Sequence, residues 1–314
     1  MKMATIKRII VLWVVLIALS ALFGKVTLAA SDAGRTAANF LQIGVGAQSA
    51  GMGGAYSAVT EGVSSVYWNP AGLANMSSSQ ISLTHFSWYQ DVKLNHGAVA
   101  VPVNDKLTFA VGATHLDYGT IDGYDQTGLP TGQISSYDFA GSFSIGWAVN
   151  DHLSVGGTAK YINQKLADLN VTGVAGDLGA LYRMPRVTFA AVISNVGPFL
   201  KYDKQSEHLP TSGRLAVAVA PFGGSFLTAF EFEKPQIGDM ALKQGFEYNV
   251  NHQYYLRAGY NYYPGREVMN FGTGPTFGAG VKLNRASLDY AFTPKDTHTS
   301  DDLHRFSLTL FLGH

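Results

Sequence analysis

Two glutamates, Glu231 and Glu233, have the spacing in this sequence that is most suggestive of chemistry. They are two residues apart in a stretch that alternates apolar and polar residues, so in a β-strand both side chains lie on one face. Arg257 and Lys282 take similar polar positions in later stretches, and we expect them nearby. Two interpretations stay open: a structural charge network, which we favour, and a polar site for the head of an amphiphilic ligand.

Recognisable catalytic motifs are missing from the sequence. It contains no Gly-x-Ser-x-Gly elbow, no His-Glu-x-x-His zinc motif and no phosphate-binding glycine loop. Histidines such as His85, His115 and His252 have no identifiable nucleophile or carboxylate partner. The chain also has no cysteine, which excludes disulfides and thiolate metal sites. We therefore predict that the protein is not an enzyme and has no cofactor and no metal site.

The composition favours a membrane protein without membrane-spanning helices in its body. Charged residues make up 14% of the 314 residues, against about 25% in soluble domains. The formal net charge is zero, so no basic surplus points to a nucleic-acid partner. No long apolar run follows the first 30 residues. The chain has too few charges for a soluble surface and no apolar run for a membrane-spanning helix in its body. This combination indicates a membrane β-barrel.

From about Gln80 onward, the apolar residues recur with a period of two. Leu107, Phe109 and Val111 share one face of such a stretch, with small or polar residues opposite. We count about fourteen segments, each near the ~9–11 residues that a tilted strand needs to cross a bilayer. The sequence predicts an all-β protein, a transmembrane antiparallel barrel of about 14 strands, although twelve or sixteen strands also fit the pattern.

The connections between these segments alternate in length. Short ones have turn chemistry, as at Asn104-Asp105 and Asn150-Asp151, whereas the stretches 118–133 and 197–209 are long and polar. Outer-membrane barrels have short periplasmic turns and longer outer loops. We therefore expect the outer membrane of a Gram-negative-type bacterium, with outer-membrane lipid as a partner and both termini in the periplasm. The oligomeric state is left open.

The front of the chain is predicted to contain two segments before the barrel. Lys2, Lys7 and Arg8 precede an apolar run over 9–24, and small residues follow at Ala29-Ala30. This order predicts a signal peptide over residues 1–30, with a retained anchor as the alternative. Residues 31–78 break the strand pattern and are predicted to form a plug in the lumen of the barrel, which comprises residues 79–314.

The predicted plug is rich in glycine and turn-forming residues. Small residues dominate 40–56, and the element Trp68-Asn69-Pro70-Ala71-Gly72 follows. Asn69 is biased away from the helical region because it precedes a proline, and we expect Gly72 to supply a turn with positive φ.

Three motifs in this region resemble a known family. They are Gly44-Val45-Gly46-Ala47, Ala50-Gly51-Met52-Gly53-Gly54-Ala55 and the stretch 65–74, with Trp68-Asn69-Pro70-Ala71-Gly72 at its centre. Together they resemble the N-terminal signature of the PorV/PorQ proteins and, more distantly, the FadL group of long-chain fatty acid transporters. The stretch 304–310 is similar to the family's closing strand, although this chain ends in Gly313-His314 rather than an aromatic residue.

The resemblance implies a fourteen-stranded outer-membrane barrel with the N-terminal segment folded into its lumen. By analogy, the residues that anchor the plug are Trp68, Asn69, Pro70, Ala71, Gly72, Gly51 and Gly53. Gln48 stands where relatives often have arginine, so we do not expect a charge-based contact there between plug and wall. FadL-type relatives pass hydrophobic molecules through the barrel, which makes a channel or transporter for such molecules our first prediction. PorV-type relatives receive exported proteins, which makes an outer-membrane scaffold of type IX protein secretion the alternative. The ligand or secreted cargo is left open, and so is a barrel that serves envelope integrity with no specific cargo.

Overall fold

The computed structural model describes residues 36–87, 92–125, 127–167, 169–202, 205–221, 224–263, 273–294 and 302–313. The predicted signal peptide lies outside these residues. None of the helices formed by the described residues is long and apolar enough to cross a membrane.

Fourteen antiparallel strands close into a barrel, which confirms the predicted fold class. Each strand pairs with its neighbours along the chain, β7 pairs with β10, and β16 pairs with β1 to close the ring. Strands β8 and β9 form a separate hairpin between β7 and β10. The strands are β1 (Ser79–Ser87), β2 (Lys93–Asn104), β3 (Leu107–Tyr124), β4 (Pro130–Ala148), β5 (Leu153–Leu166), β6 (Leu169–Met184), β7 (Val187–Val196), β8 (Leu200–Tyr202), β9 (Gln205–Glu207), β10 (Ser212–Val219), β11 (Phe226–Pro235), β12 (Ala241–Val250), β13 (Tyr254–Tyr262), β14 (Gly274–Lys282), β15 (Ala286–Thr293) and β16 (Leu303–Leu312).

Residue alternation separates the two faces of the wall. Large apolar side chains such as Leu178 and Leu215 point outward and are 66% and 62% exposed. Charged side chains such as Asp177 and Arg214, next to them in sequence, point inward and are buried. The outside of the barrel is therefore apolar, and much of its interior is polar.

The two ends of the barrel differ in their connections. At one end, here called the turn end, tight turns join β2 to β3 and β4 to β5. Asn104 and Asn150 stabilise these turns because each side-chain oxygen accepts two backbone N–H groups. The opposite end, here called the hairpin end, has the β8–β9 hairpin. The predicted long loop over 118–133 is mostly strand at this end, because β3 and β4 continue to 18 and 19 residues.

The described part of the plug contains only short helical pieces. It comprises a 3₁₀ turn (Asn39–Gln42), helix α1 (Ala47–Gly51), a second 3₁₀ turn (Gly62–Ser64), helix α2 (Ser65–Trp68) and a third 3₁₀ turn (Pro70–Leu73). Most of these residues are buried inside the barrel. The packing of the wall around the plug, rather than a core of the plug itself, holds these pieces in place.

The plug runs through the lumen from one end to the other. Its first described residues lie at the hairpin end, where the Ala37 backbone N–H donates to the His208 carbonyl over 2.8 Å. Its last residues lead into Ser79 of β1, which pairs with Leu312 at the turn end. The chain termini themselves lie outside the described residues, so the expectation that both share the periplasmic side stays a prediction. Because the number of strands is even, the start of β1 and the end of β16 lie at the same end of the barrel. The segment before β1 runs through the lumen, so its first described residues lie at the opposite end.

Candidate functional site

Asn69 links the plug to itself and to the wall. Its side chain is fully buried, and its Nδ2 donates to the carbonyls of Ser57 at 3.1 Å and of Ala180 in β6 at 3.3 Å. Its Oδ1 accepts from the Ala71 backbone N–H over 3.1 Å. Asn69 is extended, with φ −163°, as expected before a proline. The Asn69 side-chain amide thus connects the Ser57 segment of the plug, the 3₁₀ turn Pro70–Leu73 and strand β6.

The wall is lined with glycine where it contacts this part of the plug. Gly146, Gly156 and Gly179, on β4, β5 and β6, face Asn69 and Pro70. A Cβ atom on Gly146 would lie 2.6 Å from the Cβ of Leu73, and one on Gly156 would overlap the Pro70 backbone. We call these three glycines the first seat. The available sequence signal was an inward-facing glycine in each of three successive strands, and the prediction did not include it.

A second seat holds the Gly51-Met52-Gly53 segment. It consists of Gly245, Gly259 and Gly278 on β12, β13 and β14. A Cβ on Gly245 would lie 2.6 Å from the Met52 carbonyl oxygen, and Gly53 has φ +64°. Strands β7, β10 and β11 separate the two seats on one side, and β15, β16 and β1 to β3 separate them on the other. The two glycine seats are therefore well separated around the wall.

The other residues predicted to anchor the plug have different surroundings. Trp68 donates through Nε1 to the Val45 carbonyl over 2.9 Å, and Arg214 lies 5.6 Å from the centre of its ring. Ala71 is fully buried. Gly72 does not have the positive φ that was predicted, because it lies inside the 3₁₀ turn Pro70–Leu73. It is needed for close packing within the plug, since a Cβ would lie 2.6 Å from the Thr60 carbonyl oxygen.

Glu231 and Glu233 lie on the inward face, and both contact Lys243. The Lys243 Nζ is 2.5 Å from Glu233 and 3.7 Å from Glu231. Glu231 also accepts from the backbone N–H groups of Ser57 at 2.8 Å and Tyr56 at 3.3 Å. The Glu231 carboxylate, which belongs to the wall, thus binds the main chain of the plug.

Arg257 and Lys282 are not part of this cluster. Arg257 forms a second network with Glu247 at 2.6 Å and Asp289 at 2.7 Å. Lys282 is exposed at the end of β14, and its ammonium lies 5.1 Å from the centre of the Phe311 ring. The expected proximity of Arg257 and Lys282 to the two glutamates was wrong, because the partner of Glu231 is set by the register of β11 on β12, where it faces Lys243.

Gln48 does contact the wall, without a charge of its own. Its Nε2 donates to Glu247 over 3.4 Å. Between plug and wall, Trp68, Arg214 and Lys243 help to line a small polar cavity of about 70 Å³. The interface of plug and wall around this cavity is therefore polar.

Towards the hairpin end the interior becomes apolar. Residues of the plug (Phe40, Leu41, Ile43 and Val45) pack there against Phe86, Leu94, Leu116, Ile162 and Val171 of the wall. We call this cluster the apolar layer. Tyr67 borders it and donates to the Leu41 carbonyl over 3.0 Å. Burial raises the pKa of the Tyr67 phenol, so the group stays protonated and able to donate.

The described residues include no group of three His, Asp or Glu side chains arranged to hold a metal ion. The functional features of the interior are thus two glycine seats, two charge networks and an apolar layer.

This architecture defines the class of fold: a fourteen-stranded barrel with an N-terminal plug in its lumen. The same fold occurs in a Pseudomonas aeruginosa FadL homologue, which is 13% identical, with 84% of this chain and 97% of that chain covered at a TM-score of 0.55. It also occurs in the Pseudomonas putida toluene transporter TodX, again 13% identical, with 86% and 99% covered at a TM-score of 0.58. No protein-family model and no curated protein sequence matches the chain.

Proposed function

We propose that this protein is an outer-membrane channel or transporter for hydrophobic molecules. The observation that supports it best is the apolar layer, the largest cluster of buried apolar side chains among the described residues, inside a barrel whose interior also contains charge networks. The solved structures with this fold include one described as a toluene transporter. The outward apolar face of the strands suits a bilayer.

In this proposal the hairpin end faces the outside of the cell and the turn end faces the periplasm. Residues 1–30 are a signal peptide, residues 31–78 are the plug and residues 79–314 are the barrel. Trp68, Asn69, Pro70, Ala71, Gly72, Gly51 and Gly53 hold the plug in place. Glu231 and Arg257 brace it through the two charge networks, and Glu233 pairs with Lys243. A hydrophobic molecule enters from the hairpin end and meets the apolar layer first.

The test is the uptake of a hydrophobic fluorescent dye, N-phenylnaphthylamine, by intact cells whose own outer membrane excludes it. Cells that express the protein should take up the dye faster than cells with an empty vector. Leu116→Asn, which places an amide in the apolar layer, should slow the uptake. Leu181→Asn is the matched control, because Leu181 is equally buried but lies in a different cluster around Met52 and Ala71.

Heat-modifiable migration on a gel should establish that each variant is an assembled barrel. Uptake no faster than in empty-vector cells, with an assembled barrel present, would contradict the proposal. Equal slowing by both variants would mean that the apolar layer has no special part in it.

The type IX secretion scaffold rests on the sequence resemblance alone, and no feature of the described residues favours it. Deletion of the gene should in that case trap secreted proteins in the periplasm. Normal secretion by the deletion strain would exclude it.

A further inference from the structure

A larger cavity lies at the hairpin end, where the plug meets the wall. It has a volume of about 580 Å³ and lies between the first plug residues, such as Ala38 and Phe40, and side chains of β3, β4, β5 and β8. Ligand-binding pockets commonly measure about 300–1,000 Å³. We call this cavity the vestibule.

The vestibule has an acidic side. Asp138 and Glu207 both line it, and its described lining residues include no lysine or arginine. Asp138 is only 5% exposed, and its two oxygens accept from Tyr118 Oη at 2.7 Å and from Gln164 Nε2 at 2.8 Å. Gln164 in turn accepts from the backbone N–H of Ala38 and from the Tyr202 hydroxyl. These bonds fix the carboxylate in place before any ligand arrives.

A smaller lobe of about 230 Å³ adjoins the vestibule. The two cavities share Tyr118, Asp138, Gln164 and Tyr202. The smaller lobe is mostly apolar, lined by Leu166, Leu169 and Val171, with Lys165 its one cation among the described lining residues. The acidic side of the vestibule and the apolar lobe thus adjoin each other at Tyr118 and Tyr202.

We propose that the vestibule selects among hydrophobic molecules by their head group. It takes amphiphiles whose head donates hydrogen bonds, a hydroxyl or a protonated amine, and it rejects carboxylates. The donating head lies at Asp138 and Glu207, and the apolar body lies in the lobe at Leu169. A carboxylate would bring a third negative charge to a partly desolvated site, where like charges repel more strongly than in water. Selection of this kind rests on the difference between two affinities. The inference names the substrate class of the proposed channel and so rests on the proposed function.

The test uses three probes with the same ring and chain but different heads: phenylbutylamine, phenylbutanol and phenylbutyrate. Their affinities for the full-length protein in phosphatidylcholine nanodiscs are measured by calorimetry near neutral pH, with empty nanodiscs as the blank. We expect phenylbutyrate to bind about tenfold or more weakly than phenylbutylamine, a difference of about 1.4 kcal/mol.

Glu207→Gln and Asp138→Asn should each reduce this preference about threefold or more. Asp125→Asn is the control, because it removes the same charge from an exposed position in the connection from β3 to β4, and it should leave the preference unchanged. Glu207 is only partly buried, so its variant decides the matter if Asp138→Asn does not assemble.

Three results would overturn the inference: equal affinity for the amine and the carboxylate, a preference that Glu207→Gln leaves unchanged, or no binding of any probe. The dye-uptake experiment is independent of these outcomes. If the protein prefers the amine but cells show no dye uptake, the proposed channel is contradicted and the binding site remains. If cells take up the dye but the preference is absent, only the proposal for the vestibule is contradicted.

Discussion

Glu231 of the barrel wall accepts a hydrogen bond of 2.8 Å from the backbone N–H of Ser57 in the plug. Its carboxylate is almost completely buried and also faces Lys243. Hydrogen bonds to a charged acceptor are stronger than those between neutral groups. Because the contact uses the plug's main chain, it does not depend on the side chain that position 57 has.

Replacement of Glu231 by alanine should loosen this part of the plug. The N–H groups of Ser57 and Tyr56 would lose their acceptor inside the barrel, at a cost of about 1–3 kcal/mol. Hydrogen exchange at these two amides should speed up. Glu233→Ala is the matched control, since Glu233 also pairs with Lys243 but has no described bond to these amides. Unchanged exchange in Glu231→Ala would refute the bracing role.

Asn69→Ala should destabilise the protein more than the replacement of an exposed asparagine by alanine does. It leaves the Ala71 N–H and the Ser57 carbonyl without their partner and removes the plug's bond to the Ala180 carbonyl, and each buried unsatisfied group costs about 1–3 kcal/mol. The measurement is the temperature at which the barrel loses its heat-modifiable migration. Asn170→Ala, exposed on the same strand as Ala180, should leave this temperature nearly unchanged. Equal shifts in the two variants would argue against Asn69 as an anchor.

Gly156→Ala should displace the plug from the three glycines of the first seat. The added methyl group would overlap the backbone of Pro70 and Ala71, and overpacking of this kind costs about 1–3 kcal/mol. Faster proteolysis of the plug in the assembled barrel would report the change. Gly213→Ala is a sharp control, because nothing lies within 4 Å of its Cβ position. Slow cleavage in both variants would mean that the wall adapts to the methyl group.

The connection from β3 to β4 should loosen in acid. The Thr127 hydroxyl donates to Asp125, and the backbone N–H groups of Leu129 and Thr127 add further bonds, which lower the pKa of this carboxyl. A lowered pKa in the folded state means that the stabilisation is complete above the ordinary pKa and is lost as the pH falls through the lowered value. Amide protection at Thr127 and Leu129, corrected for intrinsic exchange, should therefore drop in strong acid. In Asp125→Asn this drop should be absent.

The strands could be predicted from the sequence because alternation is a local signal. Leu107 to Val111 shows which side chains point outward without reference to any other strand. The partner of Glu231 could not be predicted in this way, since it depends on how β11 and β12 are aligned. The same limit hid the glycine seats: Gly146, Gly156 and Gly179 come together only when three strands are in register.

Backbone geometry inside the plug was predicted only in part. Asn69 is extended because the proline that follows restricts it. Gly72 was expected to adopt a left-handed turn, but its conformation is set by the 3₁₀ turn around it. Its lack of a side chain serves the close contact with Thr60 and Ser65, which no local pattern indicates.

The second seat has a consequence for the order of folding. Thr276 of β14 donates to the carbonyl of Gly51, a residue 225 positions earlier in the chain. Contacts between such distant positions form slowly, because the chain between them must first be ordered. The plug is synthesised before every strand that holds it, and its second seat waits for β12 to β14. Closure of the lumen is therefore a late event, and a nascent chain that stops before β14 leaves its plug with one seat only.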